Sequence, residues 1–199
     1  MAGMTIATRG VAAGLPERLR AETAPWHEKV EAAANIADRV RTRDDYAELL
    51  GVFGQLHIGL EAQLCAPSWD RAWVSVGVDI DAHRRAGLLL ADLDGLGATA
   101  TAFPVLPPFP CFGQAMGCLY VLEGSALGGR IVAGMVRTAI GAVPTAFLTG
   151  QGRNYLWSAM RNALRTFDAQ GGDGDAVVAG ARSTFDLFAR RLAVPVLQL

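Results

Sequence analysis

The chain has 199 residues, 51% of them apolar and 19% charged, which is a globular composition with enough length for one well-buried core and too little for two ordinary domains. The formal net charge of −1 gives no basic excess to neutralise phosphates, which argues against nucleic acid as a partner. Glycine and charged residues break the longest apolar stretches, and the N-terminus has no apolar signal segment. We therefore expect a cytoplasmic protein that does not span a membrane.

The N-terminal part of the chain predicts a flexible tail over residues 1–14, followed by a helix. Proline suits the first turn of a helix, so this helix should begin near Leu15–Pro16. Apolar residues then recur at helical spacing to about residue 34. Pro25 is unfavourable inside the helix, which predicts either a kink or a later start with Thr23 as the N-cap.

The rest of the chain predicts further helices and no strands. The helices are expected over residues 42–64, 81–93, 112–140, 154–169 and 175–192. Residues 69–79 are ambiguous, and the Gly- and Pro-rich residues 94–110 form a connection. The predicted architecture is an all-α single domain over residues 15–199, with six to seven helices around one core.

His27, in the segment LRAETAPWHEKVE of the first helix, is a candidate haem ligand, because imidazole is a good axial ligand for haem iron. Glu31 follows one turn later and is placed to accept a hydrogen bond from the ring nitrogen that does not face the metal. The competing interpretation is an ordinary helical histidine beside an exposed carboxylate.

The glycines of the segment LYVLEGSALGGRIV are the second candidate feature. Glycine costs about 1 kcal/mol relative to alanine inside a helix, so this helix gives up stability. Gly124 and Gly128 are four residues apart and share a face, which would let a flat ligand approach the backbone. Close packing against another helix explains the same glycines equally well.

Together the two segments resemble the haem oxygenase family, in particular the bacterial, biliverdin-producing enzymes associated with bacteriophytochromes. LRAETAPWHEKVE resembles the proximal helix and LYVLEGSALGGRIV the distal helix, and RDDYAELLGVFGQL and ARSTFDLFARRL show a weaker similarity in matching order. The resemblance implies a helical domain that holds haem between these two helices. It implies oxidative opening of haem to biliverdin, iron and carbon monoxide, with O2 and an electron-donor protein such as a ferredoxin or a reductase. A bacteriophytochrome is one acceptor of biliverdin that the resemblance suggests.

Carried over by motif, His27 is the proximal ligand, and Gly124, Gly128 and Gly129 form the backbone wall on the distal side of the haem. Arg20 matches a basic residue near a haem propionate, where a guanidinium pairs well with a carboxylate. The opposing interpretation of Arg20 is a surface pair with a helix carboxylate such as Glu17.

Ser125 stands where animal haem oxygenases have an aspartate that organises water. The resemblance therefore implies that water near Ser125 and the distal backbone donates the proton that the reaction needs. Because of this departure, the sequence leaves the route of proton delivery open. Pro25 inside the helix leaves the orientation of His27 open as well. Arg153 and Arg161 are further propionate candidates by region alone, and a solvated helix face explains them equally well.

The remaining candidates are interpreted as structural. His57 and Glu61 are spaced to bind a metal, but a core or boundary histidine is the preferred interpretation. His83, beside two arginines, predicts a solvated face. The cysteines, too few for a disulfide framework, are expected to be buried free thiols in a reducing compartment, and they are Cys65, Cys111 and Cys118.

Three other functions remain open. The first is a non-catalytic haem-binding or sensor protein on the same fold. The second is a di-metal oxidase on that scaffold, which requires several carboxylates and histidines on facing helices, and we find no complete set. The third is an interaction module that binds neither haem nor metal.

Overall fold

The computed structural model describes residues 14–99, 106–150 and 155–193, and every regular element in these ranges is a helix, as predicted. In chain order the helices are α1 (Leu15–Ala34), α2 (Ile36–Arg39), α3 (Arg43–Leu64), α4 (Asp70–Ser75), α5 (Ala86–Gly95), α6 (Phe112–Ile140), α7 (Ala146–Thr149), α8 (Tyr155–Ala169) and α9 (Gly174–Ala193). Short 3-10 turns occupy Pro67–Trp69 and Ile80–His83. The predicted tail, apart from Gly14, lies outside the described residues, so its boundary stays a prediction.

The first helix begins where its proline predicted and continues through the second proline. α1 starts at Leu15 and includes Pro25, so the alternative start at Thr23 is wrong. Thr23 is buried inside the helix, and its hydroxyl donates a hydrogen bond to the carbonyl of Leu19 at 2.7 Å. Pro25 lies on the exposed side, where water can satisfy the carbonyl that its missing N–H leaves without a partner.

Capping sets the starts of α3 and α5. Thr42 and Asp45 form a reciprocal capping box, which fixes the start of α3 as predicted. The helix predicted from residue 81 begins later, at Ala86. Glu61 of α3 accepts hydrogen bonds from the backbone amides of Arg85 and Ala86, each at 3.0 Å. The predicted start of α5 was wrong because the capping residue, Glu61, belongs to another helix.

The centre of the fold is the close contact of α6 with α9. A Cβ atom on Gly117 of α6 would collide with the backbone of Val177, and one on Gly180 of α9 with the backbone of Gln114. Glycine is therefore required at both positions, because two helix backbones meet there. α1 also packs along α9, and α3 and α7 pack against α6.

The central position of α6 explains its apolar composition. By length and apolar character α6 would suit a membrane span, and α3 with Pro67–Ser75 passes the same test only as a bent pair. This result is weak evidence for a membrane-spanning helix, because a buried core helix has the same composition. Ala115, Met116 and Leu119 of α6 are fully buried in the core.

The three cysteines are free thiols in different surroundings. Cys118 is buried in α6, and desolvation raises its pKa to about 12, so this thiol stays protonated. Cys65 and Cys111 lie beside helix ends and are half-buried. The prediction of buried thiols is therefore confirmed for Cys118 alone.

Candidate functional site

The exposed side of α1 carries both residues that the sequence singled out on this helix. Arg20 and His27 are two helical turns apart and therefore lie on the same side. The side chain of His27 is 56% exposed, and its Nδ1 lies 3.6 Å from Oε2 of Glu31. Its ring meets Phe185 of α9 edge-on, with 5.9 Å between ring centroids. The imidazole is accessible, and its Nε2 makes no hydrogen bond with any described residue.

Arg20 is exposed and makes no ion pair within the described ranges. Glu17, the alternative partner, lies 3.4 Å from Arg161 and 3.8 Å from Arg165 of α8. A surface pair between Arg20 and Glu17 is therefore contradicted. Arg161 is engaged by Glu17, and Arg153 lies outside the described residues.

Gly124 and Gly128 lie on one face of α6, and packing against the described residues requires neither of them. A Cβ atom on Gly128 would meet no atom of the described residues within 4 Å. One on Gly124 would make only an ordinary contact, 3.7 Å from the ring of Trp157. Close helix packing, which competed with ligand approach as the explanation, accounts for neither glycine. Glycine at these two positions destabilises the helix, and no packing contact among the described residues compensates for that loss.

Gly129 does not belong to this face. It is buried, and a Cβ atom there would collide with the backbone of Leu148 in α7. The contact between α6 and α7 therefore explains why position 129 is glycine. The expectation that Gly129 lines the same wall as its neighbour Gly128 is corrected by this placement.

Exposed apolar side chains continue the face of Gly124 and Gly128. Leu127, Ile131 and Met135 are 46%, 72% and 39% exposed, and their spacing places them beside the two glycines. We call these three residues the apolar stripe. Large apolar side chains gathered on one exposed face mark a binding surface. Sequence reasoning missed the stripe, although the helical spacing of α6 contains it.

Tyr120 lies where α1, α6 and α8 meet. It precedes Gly124 by one turn and is 8% exposed, and its hydroxyl lies beside Thr23 of α1 within electrostatic reach of Arg20. Its ring centroid is 5.3 Å from that of Trp157 in α8. Desolvation raises the pKa of Tyr120, so the phenol stays protonated. Tyr120 therefore adjoins both candidate faces.

Ser125 lies on the flank of α6 and is held by a buried arginine. Arg85 Nη2 donates to Ser125 Oγ at 3.0 Å and to the carbonyl of Leu122 at 2.6 Å. Ser125 Oγ in turn donates to the same carbonyl at 2.7 Å. The hydroxyl is therefore a fixed polar group beside the glycines, and Arg85, which sets its orientation, was missed by sequence reasoning.

His57 and Glu61 of α3 form a buried pair near Arg85. His57 Nδ1 lies 3.4 Å from Glu61 Oε1. Burial lowers the pKa of His57, so its imidazole is neutral at neutral pH. Burial acts to raise the pKa of Glu61, but hydrogen bonds from His57 and from the amides of Ala86 and Arg85 outweigh it and lower that pKa below its ordinary value. The interpretation of His57 as a core residue is confirmed.

His83 contradicts the prediction of a solvated face. Its side chain is 3% exposed, and its Nδ1 lies 2.9 Å from Oε1 of Glu123 in α6. The contact lacks the angles of a hydrogen bond, and neither atom has another hydrogen-bond partner among the described residues. The 3-10 turn that ends at His83 points it inward, although the arginines after it suggested the surface. In the described part of the chain, no three or more His, Cys, Asp or Glu side chains are grouped to hold a metal ion.

A comparison of sequences finds similarity to a haem oxygenase over part of the chain. A haem oxygenase of Xanthomonas campestris pv. campestris (strain 8004) is 39% identical over 94 residues, which are 47% of this chain and 54% of that protein. The alignment thus spans about half the length of the curated relative. No protein-family model matches the chain.

A comparison of structures extends the likeness over almost the whole chain. The haem oxygenase of Neisseria meningitidis, solved with NO and CO bound, matches with a TM-score of 0.74 at 20% identity, over 94% of this chain and 96% of that chain. The haem oxygenase of Leptospira interrogans matches with a TM-score of 0.69 at 18% identity, over 91% and 99%. The predicted resemblance and the all-α haem-oxygenase-like fold are confirmed. Neither comparison bears on a bacteriophytochrome.

Alanine at Gly128 and at Gly129 should have opposite effects on stability. Gly128→Ala should raise the free energy of unfolding by about 0.5–1 kcal/mol, because alanine is the better helix former and its methyl group meets no atom in the described part of the chain. Gly129→Ala should lower it by about 1–3 kcal/mol, because its methyl group collides with Leu148. Urea denaturation of the ligand-free protein measures both, and a loss of stability in Gly128→Ala would contradict the open face.

Glu61→Gln should lower the free energy of unfolding by about 2–4 kcal/mol at neutral pH, because a buried, multiply hydrogen-bonded carboxylate is lost beside Arg85. The folded pKa of Glu61 lies below its unfolded value, so its contribution is complete above the unfolded pKa and is lost as the pH falls through the folded pKa. Denaturation at a series of acidic pH values should show the two proteins converging. The exposed control Glu28→Gln should differ little from wild type at any pH, and a constant gap for Glu61→Gln would contradict the assignment.

Proposed function

We propose that the protein is a haem oxygenase that binds haem between the exposed faces of α1 and α6. In the proposed reaction it opens haem to biliverdin, iron and carbon monoxide, with O2 and an external electron donor. The observation that carries the proposal is Gly128, which packing does not require and which lies beside the apolar stripe. A flat apolar macrocycle resting on the helix backbone gives a reason for both features. The likeness to haem oxygenases supports the same activity.

The chemistry of both faces fits haem. The porphyrin is flat and apolar, which suits the apolar stripe and the glycine backbone. Haem iron binds imidazole, which suits the accessible His27, and the propionates are anionic, which suits Arg20. We assign His27 as the axial ligand, Arg20 as a propionate partner, and Gly124 and Gly128 as the distal wall.

Haem supplies the iron that activates O2 and is also the substrate. Oε2 of Glu31 lies 3.6 Å from Nδ1 of His27, so this carboxylate would favour a proton on Nδ1 and leave Nε2 to hold the iron. Gly124 and Gly128 leave space for a small ligand to tilt along the helix. Ser125 donates to the Leu122 carbonyl and accepts from Arg85, which leaves one lone pair on its oxygen to orient water.

The proposed reaction also implies partners outside the chain. Its electrons come from a donor protein, for which we propose a ferredoxin or a reductase. A bacteriophytochrome is a proposed acceptor of biliverdin, and the cytoplasm is the proposed location. The donor and the acceptor rest on the sequence resemblance, and the location rests on the apolar pattern of the sequence.

Haem titration followed by reductant and O2 tests the proposal directly. We expect a histidine-ligated Soret spectrum, then loss of haem and release of biliverdin and carbon monoxide, identified by spectrum and chromatography. A stable haem complex without product would indicate the alternative, a non-catalytic haem-binding protein on the same fold. Absence of a Soret band would contradict both.

His27→Ala is the matched variant for this experiment. It should abolish the histidine-ligated spectrum with little loss of helicity, because the side chain is more than half exposed. Added imidazole should restore the spectrum, since it replaces the missing ligand. An unchanged spectrum in His27→Ala without imidazole would reject His27 as the ligand.

Arg20→Ala should weaken haem affinity roughly 3- to 10-fold, because a partly exposed guanidinium–carboxylate contact is screened by water. It should also mix the biliverdin isomers if the macrocycle then rotates. Arg18→Ala is the control, since Arg18 lies on the opposite side of α1 and pairs with Glu22 and Asp175. Equal, negligible effects of the two variants on affinity and isomer ratio would exclude Arg20 as an anchor.

A further inference from the structure

We propose that Trp157 of α8 fixes the in-plane orientation of haem in the proposed site and so selects which meso carbon is opened. This role rests on the proposed function and deepens it. Trp157 belongs to neither of the two segments that carry the family resemblance. It lies on a third helix, α8, which packs against both α1 and α6. The position, the rigidity and the apolar chemistry of its indole together suit it to this role.

The indole lies at one end of the face that Gly124 and Gly128 share. A Cβ atom on Gly124 would lie 3.7 Å from Cζ3 and 3.9 Å from Cη2 of Trp157, so the outer edge of the six-membered ring rests against this turn of α6. Gly128, one turn further along, is the open end of the face. Trp157 and Leu127 of the apolar stripe also line the same small cavity. The indole is therefore a side boundary for any flat ligand that lies on Gly128.

Neighbouring side chains hold the indole in place. Its ring packs on that of Tyr120, with 5.3 Å between the centroids and 41° between the ring planes. Leu156 and Met160, on either side of Trp157 in α8, are buried in the core. The cavity beside the indole has a volume of about 20 Å³, which is sufficient for one water molecule but not for the ring. A side chain held in this way is a fixed wall, as discrimination between similar orientations requires.

Haem needs such a wall at its rim because its axial bond does not fix its rotation. The bond from His27 would hold the iron at the centre of the disc and is itself an axis of rotation. Arg20 adds one contact at the rim, but an exposed arginine is flexible and its ion pair with a propionate is screened by water. Orientations that differ in the positions of the methyl and vinyl groups would then bind almost equally. A second contact at the rim is needed to separate them.

Trp157 provides the second contact with the appropriate chemistry. Tyr120 lies between the two rim contacts, because its ring packs on the indole and its hydroxyl is within electrostatic reach of Arg20. The guanidinium suits a propionate, whereas the carbon edge of the indole would leave a carboxylate without a partner, which is unfavourable. A methyl or vinyl group packs well against that edge. Adjacent polar and apolar contacts therefore define one orientation of the macrocycle.

Proton NMR of the ferric haem complex with cyanide tests the contact without reference to turnover. The chain has four tryptophans, and Trp157→Phe identifies the signals of this one by their loss. In the wild type we expect nuclear Overhauser effects between the indole ring protons of Trp157 and a methyl or vinyl group of haem. We also expect one dominant set of haem methyl signals. A haem complex in which this indole shows no contact with haem would overturn the proposal.

Trp157→Leu removes the aromatic wall and should populate a second orientation. The minor set of haem methyl signals should grow about threefold or more relative to the major set, since an aromatic contact is lost. The biliverdin isomers should mix in parallel, whereas Trp157→Phe, which keeps a ring, should stay closer to the wild type. Tyr155→Leu is the matched control and should leave the ratio unchanged, because Tyr155 is an aromatic residue of the same helix that is 65% exposed. An unchanged ratio in Trp157→Leu would overturn the proposal.

The outcomes distinguish this role from the proposed function. If Trp157→Leu does not fold, the presence or absence of the indole contact in the wild-type complex decides. A stable wild-type complex with the contact and one orientation, but without turnover, would refute the proposed reaction while the orienting role of Trp157 would stand. Absence of haem binding would refute both.

Discussion

The close approach of α6 to α9 is the constraint on which the site depends. Gly117 and Gly180 let the two backbones touch. The face of α6 that carries Gly117 continues two turns later as Gly124 and then Gly128, where it is open. One helix is therefore a core element in its first half and an exposed wall in its second. Any side chain at the contact would move the wall relative to α1, which also packs on α9.

Beside the open face of α6, side chains from α3 and from the start of α5 form a rigid polar interior. Glu61 caps α5 and so places Arg85, and Arg85 holds both Ser125 and the carbonyl of Leu122. Burying such groups is expensive, and only a complete set of partners offsets the cost. The exposed apolar stripe and the unpacked glycines add to that cost. A bound ligand would explain both the buried polar groups and the exposed apolar face, since each destabilises the protein without one.

The helices and the candidate helix faces could be read from the sequence, because both are local properties. Apolar spacing predicted nearly every long helix in the described ranges to within a residue or two. The spacing of Arg20 and His27, and that of Gly124 and Gly128, depends only on the helical repeat. The family resemblance was likewise carried by two short segments.

What neighbouring helices contribute could not be read in that way. Gly128 and Gly129 are identical and adjacent, yet one faces open space and the other the backbone of α7. His83 precedes two arginines, yet a 3-10 turn places it against Glu123, forty residues later in the chain. The sequence by itself determined the helices and the residues that share a face. Only the tertiary structure decided which face is covered and which buried charges meet, because these depend on contacts between residues far apart in the chain.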